Sequence, residues 1–254
     1  MTARKAFLIA FLTLPLAFCA STSKKLAPDS EKSPQYQYEK AVVALRYQLP
    51  DQALEYLNQA LALNPNFAPA LNLLGYVQFQ KKNFGDAAAA YQRFLELQPN
   101  DSKARVSLGI VYEELGKVDL AEEEYKKADG IDGNPEASFG LAKIYYGQNK
   151  LEPALEYAAK SLVKNSRSVP ALNVQGVILN QMGKYAEALA SFENAVRLAP
   201  DDIGLSVNLG IAYINNKEFA RARELFEKIL PKVEDPTLKA KINEYLKLIK
   251  EKNT

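Results

Sequence analysis

The sequence predicts an all-α solenoid of stacked helical hairpins, on three observations. Alanine recurs at residues 53, 87, 121, 154, 188 and 222, spaced 34, 34, 33, 34 and 34 apart. About twelve residues before each alanine stands a small residue: Ala41, Gly75, Gly109, Ala142, Gly176 or Gly210. Apolar residues recur at three- and four-residue spacing in two runs per period, as two amphipathic helices require. A fixed period of this length marks a repeat architecture.

Each period reads as helix, turn, helix. In the second, the runs are APALNLLGYVQFQ and DAAAAYQRFLEL, separated by the polar turn KKNFG. The small residue of the first helix marks where two backbones approach. A larger side chain there would overpack the crossing, at a cost of about 1–3 kcal/mol. Four residues after the alanine come Leu57, Tyr91, Tyr125, Ala158, Phe192 and Phe226, which fill the space beside it. Pro65, Pro99 and Pro200 stop second helices, since proline cannot continue one. Pro69, Pro135 and Pro170 fall in the first turn of first helices, where a missing N–H costs little. No segment alternates with a period of two, so no sheet is expected.

Leu74-Gly75, Ala87, Tyr91 and Pro99 resemble the tetratricopeptide repeat. That resemblance implies a right-handed superhelical solenoid of six helix–turn–helix units, at 34–67, 68–101, 102–134, 135–168, 169–202 and 203–236. Unit one reads Lys40-Ala41 in place of the Leu-Gly pair, as befits an end repeat. Unit three is one residue short, and Gly130 and Gly133 predict an irregular closing turn. After the sixth unit, Asp235-Pro236 predicts a helix start. Leu238, Ile242, Tyr245, Leu246 and Ile249 then form one stripe, so 237–254 reads as a capping helix over unit six.

The first residues are a different object. Arg4 and Lys5 precede thirteen uncharged residues, AFLIAFLTLPLAF. That run is too short to span a bilayer and fits a secretory signal at 1–19. Leu16-Ala17-Phe18-Cys19 resembles the bacterial lipobox, with Phe18 a departure, which implies lipidation of Cys19. Ordinary cleavage near Cys19 or Ala20 with release, and an uncleaved anchor, are the alternatives. Residues 20–33, ASTSKKLAPDSEKS, read as a flexible tether. Ala20 after the cysteine, by analogy with enteric bacteria, points to the outer membrane.

Composition excludes several chemistries. The chain has no histidine and one cysteine, which removes imidazole bases, histidine triads and most zinc sites. The carboxylates of EELGKVDLAEEEYKK stand among lysines at helical spacing, as on a solvated face. A net charge of +2 on 254 residues, smaller once Arg4 and Lys5 leave, gives no basic stripe for nucleic acid. The expectation is a non-enzyme with no catalytic residue, no metal and no cofactor.

By the resemblance, first helices line a concave groove that binds protein or peptide segments. The groove-facing candidates are Tyr38, Val42, Leu45 and Arg46 in unit one, then Asn72, Tyr76, Phe79 and Gln80 in unit two. Unit three offers Val106, Ile110, Glu113 and Glu114, and unit four Phe139, Lys143 and Tyr146. Unit five offers Asn173, Val177, Asn180 and Gln181, and unit six Val207, Ile211, Ile214 and Asn215. Amides can bond a peptide backbone while rings supply buried area. The lysine and asparagine pattern by which some members clamp a C-terminal carboxylate is absent; Lys143 alone does not make it.

These features imply a scaffold or adaptor on the periplasmic face of the bacterial envelope, membrane-attached if Cys19 is processed. The architecture also resembles the pilotin lipoproteins that serve type IV pilus secretins. An accessory repeat arm of a sugar transferase is a third reading. Apolar stripes at solenoid ends leave a homodimer open.

Overall fold

A computed structural model describes residues 33–252. The stretch expected to be a secretory signal, Cys19 and the expected tether up to residue 32 lie outside the described residues. Among those described there are thirteen α-helices and no strand. Twelve form hairpins: α1 Pro34–Arg46 with α2 Pro50–Leu63, α3 Ala68–Gln80 with α4 Phe84–Leu97, and α5 Ser102–Glu114 with α6 Val118–Asp132. Then come α7 Pro135–Gly147 with α8 Leu151–Lys164, α9 Val169–Gln181 with α10 Tyr185–Leu198, and α11 Ile203–Asn215 with α12 Phe219–Ile229. A short 3₁₀ turn over Leu230–Lys232, holding Pro231, leads to α13 Pro236–Lys252.

The six periodic alanines are all fully buried. Opposite them, glycines and rings fit by size. A Cβ added to Gly75 would lie 2.9 Å from three atoms of the Tyr91 ring. At Gly176 it would lie 2.8 Å from Phe192, and at Gly210 2.4 Å from Phe226. Tyr125 has glycine on both sides, 2.5 Å from a Cβ at either Gly109 or Gly140. Where the first-helix residue is alanine, the second helix carries a smaller side chain, as in Ala41 with Leu57 and Ala142 with Ala158.

The turn inside each hairpin repeats as strictly. Gln48, Lys82, Gly116, Asn149, Gly183 and Lys217 all have φ between 58° and 75°. The N–H after each reaches back five residues, as Glu218 does to the Tyr213 carbonyl at 2.8 Å and Lys117 to Tyr112 at 2.8 Å. This left-handed closure satisfies carbonyls that a helix end would otherwise leave bare. It also starts α4 at Phe84, two residues before the run the sequence marked, and Phe84 packs its ring on Phe79 at 5.6 Å.

Joints between hairpins span four residues, except the third. There α6 runs on to Asp132, with Gly130 inside its last turn, and Gly133 at φ 64° closes it. Asn134 then caps α7, accepting from the Glu136 and Ala137 amides at 3.0 and 3.2 Å. The irregular turn expected from two glycines is thus made by one. Ser102 donates to Asp132 at 2.7 Å and accepts from the buried Asn134 at 3.3 Å.

α13 closes the far end. Asp235 caps it, accepting from the Thr237 amide at 2.8 Å. Ile242 and Ile249 are fully buried, and Tyr245 stacks on Phe226 at 5.4 Å.

Candidate functional site: the inner wall

Successive first helices touch from α5 through α7 and α9 to α11, whereas second helices do not meet to the same extent. The stack therefore closes toward the first-helix side, and that side is the inner wall. Three of its helices, α3, α9 and α11, contain no Asp, Glu, Lys or Arg. Their surface is made mainly of amides and aliphatic side chains, with Tyr76 and Phe79 on α3.

The expected wall residues divide by exposure. Arg46 and Asn72 are exposed, and Tyr38, Tyr76, Ile110, Lys143, Tyr146 and Ile214 are half-buried. Phe139 is only 7% exposed, and Val106 and Val207, one and two repeats away in the same register, are buried as well. At these three units the position faces the neighbouring first helix, whereas Asn72 in the same register is exposed, so Phe139 builds the wall instead of lining it. Phe79 is half-buried with its ring on Phe84. Tyr38 meets Phe67 edge-on at 5.9 Å, across the joint to the next repeat. Burial raises the phenol pKa of Tyr38 and Tyr76, so both hydroxyls stay neutral and can donate or accept.

Polar residues on the wall bond from repeat to repeat. Asn208 donates to Asn173 at 2.9 Å, and Asn215 to Asn180 at 2.8 Å. Lys143 meets Glu113 at 2.7 Å, and the same carboxylate accepts from Tyr125 at 3.0 Å. Asn173, Asn180 and Lys143 are thereby oriented, each with capacity left for a ligand. Asn208 is not among the groove-facing candidates the sequence offered. Its signal was present, because two asparagine pairs, 173 with 208 and 180 with 215, share a spacing of 35.

Among the described residues no group of three or more His, Cys, Asp or Glu is placed to hold a metal ion. Among the same described residues no helix is long and apolar enough to cross a membrane.

Family models described as tetratricopeptide repeat match residues 38–102, 82–135 and 179–242. The chain belongs to the tetratricopeptide-repeat family. Its helical hairpins and right-handed superhelix are those of a generic peptide-binding scaffold, and members bind protein or peptide partners. A tetratricopeptide-repeat protein from Parabacteroides merdae ATCC 43184 superposes with a TM-score of 0.68 at 21% identity, covering 86% of this chain and 87% of that one. YrrB, described as a tetratricopeptide-repeat protein with an unusual peptide-binding site, gives 0.61 at 21% identity, covering 74% and 97%. The type IV pilus assembly protein PilF of Pseudomonas aeruginosa is 27% identical over 158 residues, 61% of this chain and 62% of the relative. The chain spans less than two thirds of the length of the first curated relatives it matches.

Proposed function

We propose that this chain is a non-catalytic adaptor of the bacterial cell envelope, holding a segment of a partner protein on its inner wall while an envelope complex assembles. The observation that carries the reading is the charge-free surface of α3, α9 and α11. The charge-free faces of α3, α9 and α11 offer nothing to a phosphate backbone or a terminal carboxylate. It suits a polypeptide whose amides bond Asn173, Asn180 and Asn208 while apolar side chains settle near Tyr76, Ile110 and Ile214. The envelope assignment is supported by Arg4-Lys5, the apolar run and Cys19.

Two experiments test it. Purified chain, with and without Tyr76→Ala and Asn208→Ala, captures partners from an envelope extract; an unchanged partner set would refute the wall assignment. Cys19→Ser should shift the chain from the membrane to the soluble periplasmic fraction, and unchanged fractionation would remove the lipid anchor.

A pilotin-like role in type IV pilus secretin assembly is the second reading, favoured by the relative PilF. Its test is a deletion strain: loss of secretin multimers with monomer retained supports it, and intact multimers end it.

A further inference from the structure

α1 keeps the register of the other first helices, but one of its faces lacks the neighbour that theirs have. Val43 stands where Val77, Val111, Ile144, Ile178 and Ala212 stand in later repeats. Those five are at most 7% exposed, because each lies on a helix that packs against the second helix of the repeat before it. Val43 is 48% exposed, Tyr47 beside it 74% and Leu49 43%. Tyr36, Lys40, Val43 and Tyr47 follow at spacings of four, three and four, which sets them on one stripe. Lys40 replaces the leucine found at 74, 108, 141 and 209. Its ammonium lies over the rings of Tyr36 and Tyr56, at 5.5 and 4.4 Å, so its stem covers the stripe while its head is drawn aside. The opposite end of the stack is covered by α13; none of the described residues covers this one.

The later repeats show what such a seat accepts: a helix antiparallel to the first helix, with an apolar stripe. Exposed apolar residues elsewhere stand near helix ends and turns, apart from the isolated Leu248. α1 itself is the described helix that meets the requirement, so the seat and a fitting occupant are one surface. Charge placement agrees. Glu39 and Arg46 lie seven residues apart on one flank of the stripe. In the last repeat the same two positions hold Asn208 and Asn215, and both reach across the seam to the preceding repeat. Glu39 accepts from Gln35 at 2.9 Å, and neither Glu39 nor Arg46 is ion-paired among the described residues. Two α1 helices laid antiparallel about an axis near residues 42–43 bring Glu39 to Arg46 of the partner subunit, twice over. A head-to-tail contact with α13 would instead bring Lys40 toward a lysine-rich helix.

We propose that two copies of this chain pair through α1 in a closed two-fold dimer, with Tyr36, Lys40, Val43 and Tyr47 on the seam and reciprocal Glu39–Arg46 ion pairs beside it. Sedimentation velocity over a concentration series of the purified full chain tests this. The wild-type chain should dimerise. Glu39→Arg and Arg46→Glu should each weaken the dimer by about tenfold, through like charges set opposite one another, and the double exchange should restore it. Val43→Asp should give a monomer with unchanged helical circular dichroism. A monomer at every concentration overturns the proposal, including one whose seat is covered by its own residues 1–32. So does a dimer indifferent to the single charge exchanges.

Discussion

The hydroxyl of Tyr125 donates to Glu113 at 3.0 Å, from a ring wedged between α5 and α7. One side chain on a second helix therefore fixes the spacing of two first helices and orients a carboxylate on the inner wall. That carboxylate also holds Lys143 of the next repeat, so packing and wall geometry are coupled at this point.

Gly109→Ala and Gly140→Ala should each destabilise by about 1–3 kcal/mol, because backbone or ring must move. Gly85 has nothing near its Cβ position, so Gly85→Ala should be neutral or stabilising by up to about 1 kcal/mol. Chemical denaturation of the three variants checks this. Equal losses at all three sites would sink the size-matching account.

Lys82 and Lys217 hold left-handed backbone at φ 63°. Replacing either by glycine should stabilise by about 1 kcal/mol, and Gly116→Ala or Gly183→Ala should cost about as much. Melting temperatures give the sign. A destabilised Lys217→Gly would show that the lysine side chain matters more than its backbone.

Alkaline pH should weaken the fold. Burial pushes the phenols of Tyr91 and Tyr213 up to about 12 and that of Tyr125 well above its ordinary value. An unfolded tyrosine ionises near 10. The unfolded chain therefore loses these protons first, and stability present below pH ~10 falls as pH rises toward the folded values. Melting curves from pH 8 to 11 should show the decline, and Tyr125→Phe should flatten it. A profile that stays level, or that Tyr125→Phe leaves unaltered, would rule this out.

Arg105 pairs with Glu124 at 2.7 Å where both side chains are largely buried, and it also donates to the Pro99 carbonyl. Arg105→Ala leaves Glu124 with Lys127 alone, at 2.9 Å, and removes the bonds to the Pro99 carbonyl, so it should cost about 1–2 kcal/mol. Arg105→Ala paired with Glu124→Leu should recover much of that, as a double-mutant cycle would measure.

The fold was legible because its determinants are local and recur. The buried alanines are read from their period, the glycine–ring pairs from a spacing of 16 within one hairpin, and the start of α13 from Asp235-Pro236 alone. The wall was less so. Phe139 and Ile110 are both groove-facing candidates by sequence, yet Phe139 is buried and Ile110 half-buried, and only the approach of neighbouring first helices decides which one solvent reaches. Asn208 escaped because its role depends on Asn173, one repeat away. The left-handed turns at Gln48 and Asn149 carry no glycine to announce them; their closing hydrogen bonds impose the conformation.

The two-residue joint at Gly133-Asn134 shows how this architecture absorbs a deletion. The missing residue is taken up by one left-handed glycine and a polar knot of Ser102, Asp132 and Asn134, and the alanine spacing returns to 34 in the units that follow. Length changes at such hinges stay local, so evolution could trim or splice this protein between hairpins without disturbing the remainder.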